Sequence, residues 1–210
     1  MGEPENMFNG EIIEGVTGVI LVGGKSRRMG RDKAFLPWQG HPLFERTLAV
    51  CRGCFARTIL VGDRGERFAG YGIQVFPDLY PGSALGGLYT GLALAETEYA
   101  FVSACDMPFP REDLVRHLCS LRQGADAVVP QTAQAMEPLF AVYAKSCLEP
   151  MRRMLEEGNL RVFDLYPKIE TRYVGGEDLA RFDRDGISLI SLNTPEEVAL
   201  LAGSNGPHRS

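Results

Sequence analysis

The stretch "GVILVGGKSRRMGRDKAFL", from Gly18 to Leu36, decides the fold of this chain. Four apolar residues run directly into Gly23 and Gly24, and a cation-rich segment follows. An apolar run that ends in two glycines is typical of a strand leaving a parallel sheet at its carboxyl edge, where open α/β folds bind ligands. The bare backbone amides and the clustered cations predict a loop that binds a polyphosphate. The cations are Lys25, Arg27, Arg28, Arg31 and Lys33.

Two familiar phosphate-binding loops do not match this stretch. A Walker loop needs a glycine five residues before Gly24, and that position is Val19. The dinucleotide fingerprint G-x-G-x-x-G fails because Gly23, Gly24 and Gly30 have a different spacing. The loop therefore belongs to another class of phosphate-binding site.

Composition predicts one globular domain. The chain has 210 residues, of which 45% are hydrophobic and 23% are charged, and these values are ordinary for a globular protein. The two ends are polar, so we expect a flexible tail over 1–15, a domain over 16–202 and a second flexible tail over 203–210. The formal net charge is −5, so no overall basic field would attract nucleic acid, and an anionic ligand must be bound by local groups.

The sequence also bears on the compartment. No apolar run approaches the roughly 20 residues of a transmembrane helix, and residues 1–15 lack the basic and apolar regions of a secretory signal, so we expect neither. The five cysteines are an odd number without a disulfide pattern and favour a reducing cytoplasm. Cys51 and Cys54 have the spacing of a redox or zinc pair, but without a matching second pair we interpret them as small residues at a helix end.

Short apolar runs alternate with helical patterns, which predicts an α/β fold with a parallel sheet. The predicted strands cover 17–22, 57–62, 72–76, 99–104 and 125–130. The predicted helices cover 42–53, 85–96, 111–122 and 146–157. A last helix is predicted to begin at Thr194, whose position before Pro195 is typical of an N-cap. The segment 158–186 is interpreted as a loop with at most one short strand.

Two acidic residues follow predicted strands. Asp106 comes directly after the run "AFVSAC", so its carboxylate should enter the same crevice as the glycine-rich loop. Polyphosphate chemistry needs a divalent cation with oxygen ligands, and Asp106 is the predicted magnesium ligand. Asp78 follows another strand and precedes Pro81–Gly87, which opens a helix. The amides of this helix N-terminus are available to a base or phosphate, or its glycines simply permit a tight turn.

These motifs carry a family resemblance. "LVGGKSRRMGRDKAFL" resembles the signature L-A-G-G-x-S-x-R-M-G-x-D-K-x-x-L of nucleotidyltransferases that activate small metabolites. "PGSALGGL", "SACDMPF" and "SLNTPEEV" are similar to later segments of one branch, the molybdenum cofactor guanylyltransferases, and the resemblance covers about 16–202. It implies a single Rossmann-like three-layer α/β domain with a mostly parallel central sheet and helices on both faces. It also implies magnesium-dependent transfer of GMP from GTP to the terminal phosphate of molybdopterin, with release of pyrophosphate.

The resemblance further implies roles for individual residues. The implied nucleotide-binding residues are Leu21, Val22, Gly23, Gly24, Lys33, Asp78 and Asp106. Lys33 and Arg28 would neutralise phosphate charge, and Asp106 would also hold the magnesium ion. Arg161 and Asn193 match positions expected near the pterin substrate or its phosphate. Transient contacts with other proteins of molybdenum cofactor biosynthesis or insertion are a further expectation.

Several alternatives stay open at this stage. "GSALGGL" stands where the branch usually has G-P-L-A-G, so the chain could instead be a cytidylyltransferase acting on the same pterin or on another metabolite. Sugar-1-phosphate nucleotidyltransferases usually carry extra segments, for which 210 residues leave little room. A non-catalytic nucleotide-binding protein would not need Asp106, so magnesium dependence separates it from an enzyme. In the enzyme reading a phosphate monoester attacks in line, and no protein nucleophile or general base is required.

Overall fold

The computed structural model of the chain describes residues 10–23, 33–63, 65–133, 135–184, 186–192, 194 and 197. The strands within these ranges are β1 (Val16–Leu21), β2 (Pro37–Trp38), β3 (His41–Pro42), β4 (Thr58–Val61), β5 (Gln74–Phe76), β6 (Tyr99–Ala104), β7 (Ala127–Gln131), β8 (Phe140–Ala144) and β9 (Thr171–Gly175). The α-helices are α1 (Leu43–Cys54), α2 (Ala84–Leu94), α3 (Glu112–Ser120), α4 (Leu148–Glu156) and α5 (Gly176–Phe182). None of these helices combines the length and apolarity needed to cross a membrane.

The described strands form one large sheet and one small hairpin. The sheet has the order β5-β4-β1-β6-β8-β7-β9, and β2 pairs with β3 in the hairpin. Within the sheet only β8 runs against the others, because it pairs antiparallel with both β6 and β7. Every residue of β1 is buried, as expected for an interior strand covered on both faces. The predicted mostly parallel sheet is confirmed.

Helices cover both faces of the sheet. Side chains of α1, α3 and α5 share one hydrophobic core with Phe101 and Phe140 of the sheet. Side chains of α2 and α4 share a second core with Val102 and Tyr143, which face the opposite way on the same strands. Because neighbouring residues of a strand point to opposite faces, the two cores are separated by the sheet itself. The three-layer arrangement is therefore as predicted.

The structure differs from the predicted secondary structure in two segments described below. Strand β8 lies between the predicted strand at 125–130 and the predicted helix at 146–157, and no element was predicted there. β8 continues into the next helical segment without a glycine or proline to mark its end, and periodicity alone cannot distinguish a continuous apolar run from a buried helix segment. The interpretation of 158–186 as a loop with one short strand is wrong in part, because a 3-10 helix and α5 accompany β9. Glycines at the start of α5 lower the helix propensity of this segment, so a helix was not predicted there.

The predicted helix start at Thr194 is confirmed by its capping contacts. The Glu197 N–H donates to Thr194 Oγ1 at 3.1 Å, and the Thr194 N–H donates to Glu197 Oε2 at 3.2 Å. This reciprocal pair is a capping box, which satisfies donors that the first helical turn leaves without partners. The remainder of the predicted helix lies outside the described residues.

The cysteines are core residues. All five are buried, and Cys51, Cys54, Cys119 and Cys147 form no disulfide. Cys51 and Cys54 lie on the inner side of α1, and burial raises the pKa of the Cys54 thiol to about 12 and that of Cys51 beyond it. Thiols in this environment stay protonated, and redox or zinc chemistry requires the thiolate. Their interpretation as small apolar residues is therefore supported.

Part of the expected N-terminal tail is hydrogen-bonded to the domain. The Ile13 N–H donates to Cys54 O at 2.8 Å. Arg116 donates to Glu11 O at 2.6 Å, and Arg122 donates to Glu14 O at 3.1 Å. The backbone just before β1 is thus held against the ends of α1 and α3.

Candidate active site

The carboxyl end of β1 lies between those of β4 and β6. The Val22 N–H donates to Val61 O at 2.9 Å, and the Cys105 N–H donates to Leu21 O at 3.1 Å. The three strands therefore end together, and the residues that follow them share one edge of the sheet. This edge is where parallel α/β sheets place their ligand sites.

The backbone is closely packed where β1 ends. A Cβ atom on Gly62 would lie 2.6 Å from Gly23 N and 2.9 Å from the Val22 carbonyl carbon, so only glycine fits beside the β1 loop. Gly23 itself is exposed, whereas Leu21 and Val22 are buried. A ligand at this edge would thus meet bare main chain, as predicted for the start of the loop. The predicted contacts at Gly24 and Arg28 lie outside the described residues.

The structure brings Lys33 and Asp106 together. They are 73 positions apart in sequence, and Lys33 Nζ lies 3.3 Å from Asp106 Oδ2. The side chain of Lys33 is 25% exposed and that of Asp106 is 16% exposed, so both charges are partly shielded from water but open to an incoming ligand. A cation and a carboxylate in this position can bind a phosphate and a metal ion, respectively.

Lys33 is positioned by the aromatic residues that follow it. It opens a 3-10 helix over Lys33–Phe35, in which Ala34 is buried. The ring of Phe35 lies 5.4 Å from that of Phe44 and 5.0 Å from that of Phe68, centroid to centroid. The chain therefore enters the core directly after Lys33, and this fixes the base of the lysine side chain.

Asp106 is held by backbone contacts on both sides. The Leu192 N–H donates to Asp106 O at 2.8 Å. Thr47 Oγ1, on α1, donates to Met107 O at 3.1 Å, and Met107 is fully buried. Two segments distant in sequence thus fix the turn after β6, which orients the carboxylate before any ligand arrives.

Asp78 organises the loop before α2. Its Oδ1 accepts from the Tyr80 N–H at 2.9 Å and from Thr90 Oγ1 at 2.8 Å. Ser83 caps α2 by accepting from the Gly86 N–H at 3.0 Å, and a Cβ on Gly86 would collide with the Tyr80 carbonyl oxygen. The glycines of this segment thus do permit a tight turn. A Cβ on Gly87 would lie 3.5 Å from the Leu21 side chain, so the loop stands beside the end of β1.

Of the two predicted acceptor-binding residues, only Arg161 lies within the described residues. Arg161 precedes the 3-10 helix Val162–Lys168, and its side chain is 76% exposed. Its Nε lies 3.9 Å from Asp164 Oδ1, which is a local contact. Asn193 lies outside the described residues. Their roles remain predictions.

Sequence reasoning missed Glu137. It precedes β8 at the same edge of the sheet as Asp106, and it is half-buried. Burial raises the pKa of its carboxyl; the hydrogen bond from the Leu139 N–H opposes this increase, and the negative charge of Asp106 adds to it. The sequence contains one clue to Glu137, because Glu-Pro directly precedes an apolar run. The clue was not recognised because β8 itself was not predicted.

The donor set at this edge fits a magnesium ion that is shared with a substrate. Among the described residues, no three or more His, Cys, Asp or Glu side chains form a group that could hold a metal on their own. Asp106 does present a carboxylate oxygen, which is the ligand type that Mg²⁺ prefers. Magnesium commonly takes one or two carboxylates together with substrate phosphates and water. The residues therefore fit a metal that binds with the nucleotide.

A cavity of about 730 Å³ lies at the opposite, amino edge of the sheet. It is lined by Glu11, Ile12, Ile13, Glu14, Gly15, Val16, Thr17, Ala56, Arg57, Glu96 and Thr97. Arg57 and Glu96 form an ion pair beside it. None of the residues that line this cavity was predicted to bind the nucleotide, the metal or the acceptor. The candidate active site is therefore the carboxyl edge of the sheet.

Known proteins are similar to this chain over most of its length. Residues 18–169 match the family model of the MobA-like NTP transferase domain. The chain is 36% identical to a probable molybdenum cofactor guanylyltransferase of Pelotomaculum thermopropionicum, over 87% of this chain and 89% of that protein. It is 33% identical to a molybdenum cofactor guanylyltransferase of Desulfosudis oleivorans, over 89% of this chain and 94% of that protein.

A solved structure has the same fold. Molybdopterin-guanine dinucleotide biosynthesis protein A from Archaeoglobus fulgidus superposes with a TM-score of 0.77 at 26% identity, covering 90% of this chain and 97% of that chain. The mixed sheet flanked by helices and the resemblance in the glycine-rich segment are thereby confirmed. The family match, the two relatives and the solved structure lead to one conclusion: the chain belongs to the MobA-like NTP transferases, a family of nucleotidyltransferases.

Proposed function

We propose that this chain transfers GMP from GTP to the terminal phosphate of molybdopterin and releases pyrophosphate. The guanylyltransferase relatives support the reaction, since they are similar over nearly the whole of both chains. The Lys33–Asp106 pair at the carboxyl edge of the sheet is the observation that supports this edge as the site of the reaction. A phosphate-binding cation beside a metal-binding carboxylate is the arrangement that nucleotidyl transfer requires.

The chemistry is an in-line displacement. An oxygen of the acceptor phosphate forms a bond to the α-phosphorus of GTP, and the bond from that phosphorus to the bridging oxygen breaks. The electron pair of the broken bond leaves with pyrophosphate. The acceptor phosphate is already ionised at neutral pH, so no side chain has to remove a proton from it. Catalysis then depends on positioning and on neutralising phosphate charge.

Each predicted residue has a place in this scheme. The backbone of Leu21, Val22, Gly23 and Gly24 binds the nucleotide. Lys33 and Arg28 neutralise its phosphates. Asp78 keeps the loop before α2 beside the end of β1, where the nucleotide lies. Arg161 and Asn193 contact the pterin or its phosphate.

Asp106 has a second task in the proposed reaction, since it holds magnesium. When bound, Mg²⁺ supplies positive charge that stabilises the transferred phosphoryl group. The Lys33 ammonium group lies beside this carboxylate as a counter-charge. Lys33 therefore has to exchange Asp106 for the phosphates when nucleotide and metal enter together.

Two further expectations accompany the proposal. Four of the five cysteines, Cys51, Cys54, Cys119 and Cys147, are buried and form no disulfide, which supports a reducing compartment, and we place the reaction in the cytoplasm. The product must be handed to other proteins of molybdenum cofactor metabolism, so we expect transient protein contacts near the acceptor side of the site.

The test is nucleotide-dependent thermal stabilisation of the purified chain. GTP, CTP, ATP and UTP are compared with and without Mg²⁺, for the wild type and for Asp106→Asn. A ligand at 100 times its Kd stabilises the native state by about 2.7 kcal/mol, which raises Tm by roughly 5–10 °C for a chain of this size. We expect the largest shift with GTP, and we expect it to need both Mg²⁺ and Asp106.

The other outcomes separate the alternatives. A shift selective for CTP would assign the chain to cytidylyl transfer, and nucleotide binding that ignores Mg²⁺ and Asp106 would indicate a non-catalytic binding protein. Pyrophosphate release from GTP in the presence of molybdopterin is the direct assay of transfer. Binding of GTP without release of pyrophosphate would contradict the proposed reaction.

A further inference from the structure

Glu137 and Asp106 lie on neighbouring strands at the same edge of the sheet. Ser103 of β6 is paired with Phe140 of β8, and the Ala104 N–H donates to Leu139 O at 2.9 Å. Asp106 lies two residues after Ala104, and Glu137 lies two residues before Leu139. Because β8 runs antiparallel to β6, the chain leaves β6 where it enters β8. The two carboxylates therefore belong to the same side of the molecule.

The backbone around Glu137 is fixed on both sides. The Glu137 N–H donates to Pro130 O at 3.0 Å, and the Phe140 N–H donates to Glu137 O at 3.3 Å. Behind this loop, Tyr143 donates its hydroxyl to Pro138 O at 2.9 Å and lies 3.0 Å from the hydroxyl of Tyr166. A carboxylate on such a loop has a defined position rather than the freedom of a surface glutamate.

One oxygen of the Glu137 carboxyl group accepts a backbone hydrogen bond, and no cation among the described residues forms an ion pair with this carboxyl group. Oε1 accepts from the Leu139 N–H at 3.0 Å. In the parts of the chain that the structure describes, none of the ion pairs includes Glu137. Burial raises the pKa of this carboxyl, and the negative charge of Asp106 adds to the increase. A half-buried carboxylate next to another carboxylate is unfavourable unless a cation joins them.

We propose that Glu137 is a positioning residue of the metal site, where its charge joins that of Asp106 and accepts hydrogen bonds from the waters of the magnesium ion. This inference rests on the proposed function, because it takes the metal from that reaction. Magnesium gives up its waters reluctantly, and those waters donate hydrogen bonds to carboxylates that do not bind the ion directly. The carboxyl oxygen that does not bind Leu139 is available as such an acceptor.

The test is a titration of the full-length chain with Mn²⁺ in the presence of GTP. Electron paramagnetic resonance of the free ion measures how much Mn²⁺ is bound. Glu137→Gln keeps an oxygen that can accept from the Leu139 N–H, and it removes only the charge. Loss of an outer partner of a metal site typically lowers metal affinity by about 10–100-fold, and this loss is expected here. Glu170→Gln is the matched control, because Glu170 is exposed and precedes β9 at the opposite edge of the sheet. It should leave the Mn²⁺ affinity unchanged.

A change of Mn²⁺ affinity of less than about twofold in Glu137→Gln would overturn the inference. That result together with lower transfer activity would instead assign Glu137 to binding of the acceptor. The same variant should need a higher Mg²⁺ concentration for half-maximal pyrophosphate release, with the melting temperature unchanged at saturating metal. Failure of the proposed function looks different: the wild type would then release no pyrophosphate, whatever its Mn²⁺ affinity.

Discussion

Lys33 changes partner during the proposed reaction, and this makes its contribution measurable. In the free chain its ammonium group lies 3.3 Å from Asp106 Oδ2, in a site that is only partly shielded from water. A phosphate that enters with a metal ion offers the lysine more negative charge than one carboxylate does. The pair therefore keeps both side chains in place before the substrate binds, and its separation accompanies binding.

Removal of the Lys33 charge should slow transfer strongly. Lys33→Gln is expected to lower kcat/KM for GTP by about 10²–10³-fold, because one preorganised charge on the transferred phosphate is lost. Pyrophosphate release measures this loss. Lys168→Gln is the control, since Lys168 is exposed at the end of a 3-10 helix.

A double variant tests whether Lys33 and Asp106 act as one unit. Residues in contact give effects that do not add, so Lys33→Gln combined with Asp106→Asn should cost much less than the product of the two single losses. Independent, multiplicative losses would show that the ion pair of the free chain has no part in the reaction.

At the scale of elements, helix α2 is built for close approach to the sheet. Three glycines occur within its eleven residues, although each costs about 1 kcal/mol of helix stability relative to alanine. Two of them lie against β1, since a Cβ on Gly91 would collide with Val19 and a Cβ on Gly87 would touch Leu21. The helix can therefore lie directly against β1, and its N-terminal loop stands beside the end of that strand.

Gly91→Ala should destabilise the chain despite alanine's better helix propensity. The added methyl group meets the Val19 side chain in a fully buried position, and overpacking of this kind typically costs about 1–3 kcal/mol. Urea unfolding gives the free energy of unfolding directly. Gly70→Ala is the control, because a Cβ there has no atom within 4 Å. Equal stability of the two variants would mean that α2 moves away from the sheet without cost.

At the scale of the whole molecule, Leu192 connects the C-terminal part of the chain to the site. Leu192 is buried in a small core with Leu36, Trp38, Leu43 and Phe109. These residues come from the segment after Lys33, from α1 and from the segment after Asp106. A single cluster thus joins both halves of the charged pair to the C-terminal part of the chain.

Truncation of Leu192 should cost stability and weaken the site together. Leu192→Ala is expected to lower the free energy of unfolding by about 2–5 kcal/mol, because it leaves a cavity in a packed cluster. We also expect GTP to stabilise the variant less than it stabilises the wild type, because the Leu192 side chain anchors the segment whose backbone N–H binds the Asp106 carbonyl. Leu160→Ala, at a 49% exposed position, is the control and should change stability by less than about 0.5 kcal/mol. A loss of stability without any change in GTP stabilisation would show that the C-terminal segment does not position Asp106.

The glycine-rich segment and the residues after β6 show how much could be predicted from sequence. β1 and β6 are apolar at nearly every position, so their existence and the place where each ends were readable locally. The helical patterns of α1 to α4 likewise depend on residues three and four apart, and those helices lie where they were predicted. Asp106 was found because a charged residue directly after a buried strand must emerge at the edge of the sheet.

The rest depended on contacts between distant parts of the chain. The order of the strands, the antiparallel insertion of β8 and the meeting of Lys33 with Asp106 across 73 positions are set by which buried surfaces fit together, and no local pattern records that choice. Glu137 could be proposed as a residue of the site only from the structure, because the pairing of β8 with β6 puts it at the same edge of the sheet as Asp106. The sequence by itself thus determined the strand ends and the kind of chemistry that they carry, because both depend on local hydrophobic patterns and residue types. The tertiary structure decided which charges share the site, because pairing and packing are non-local.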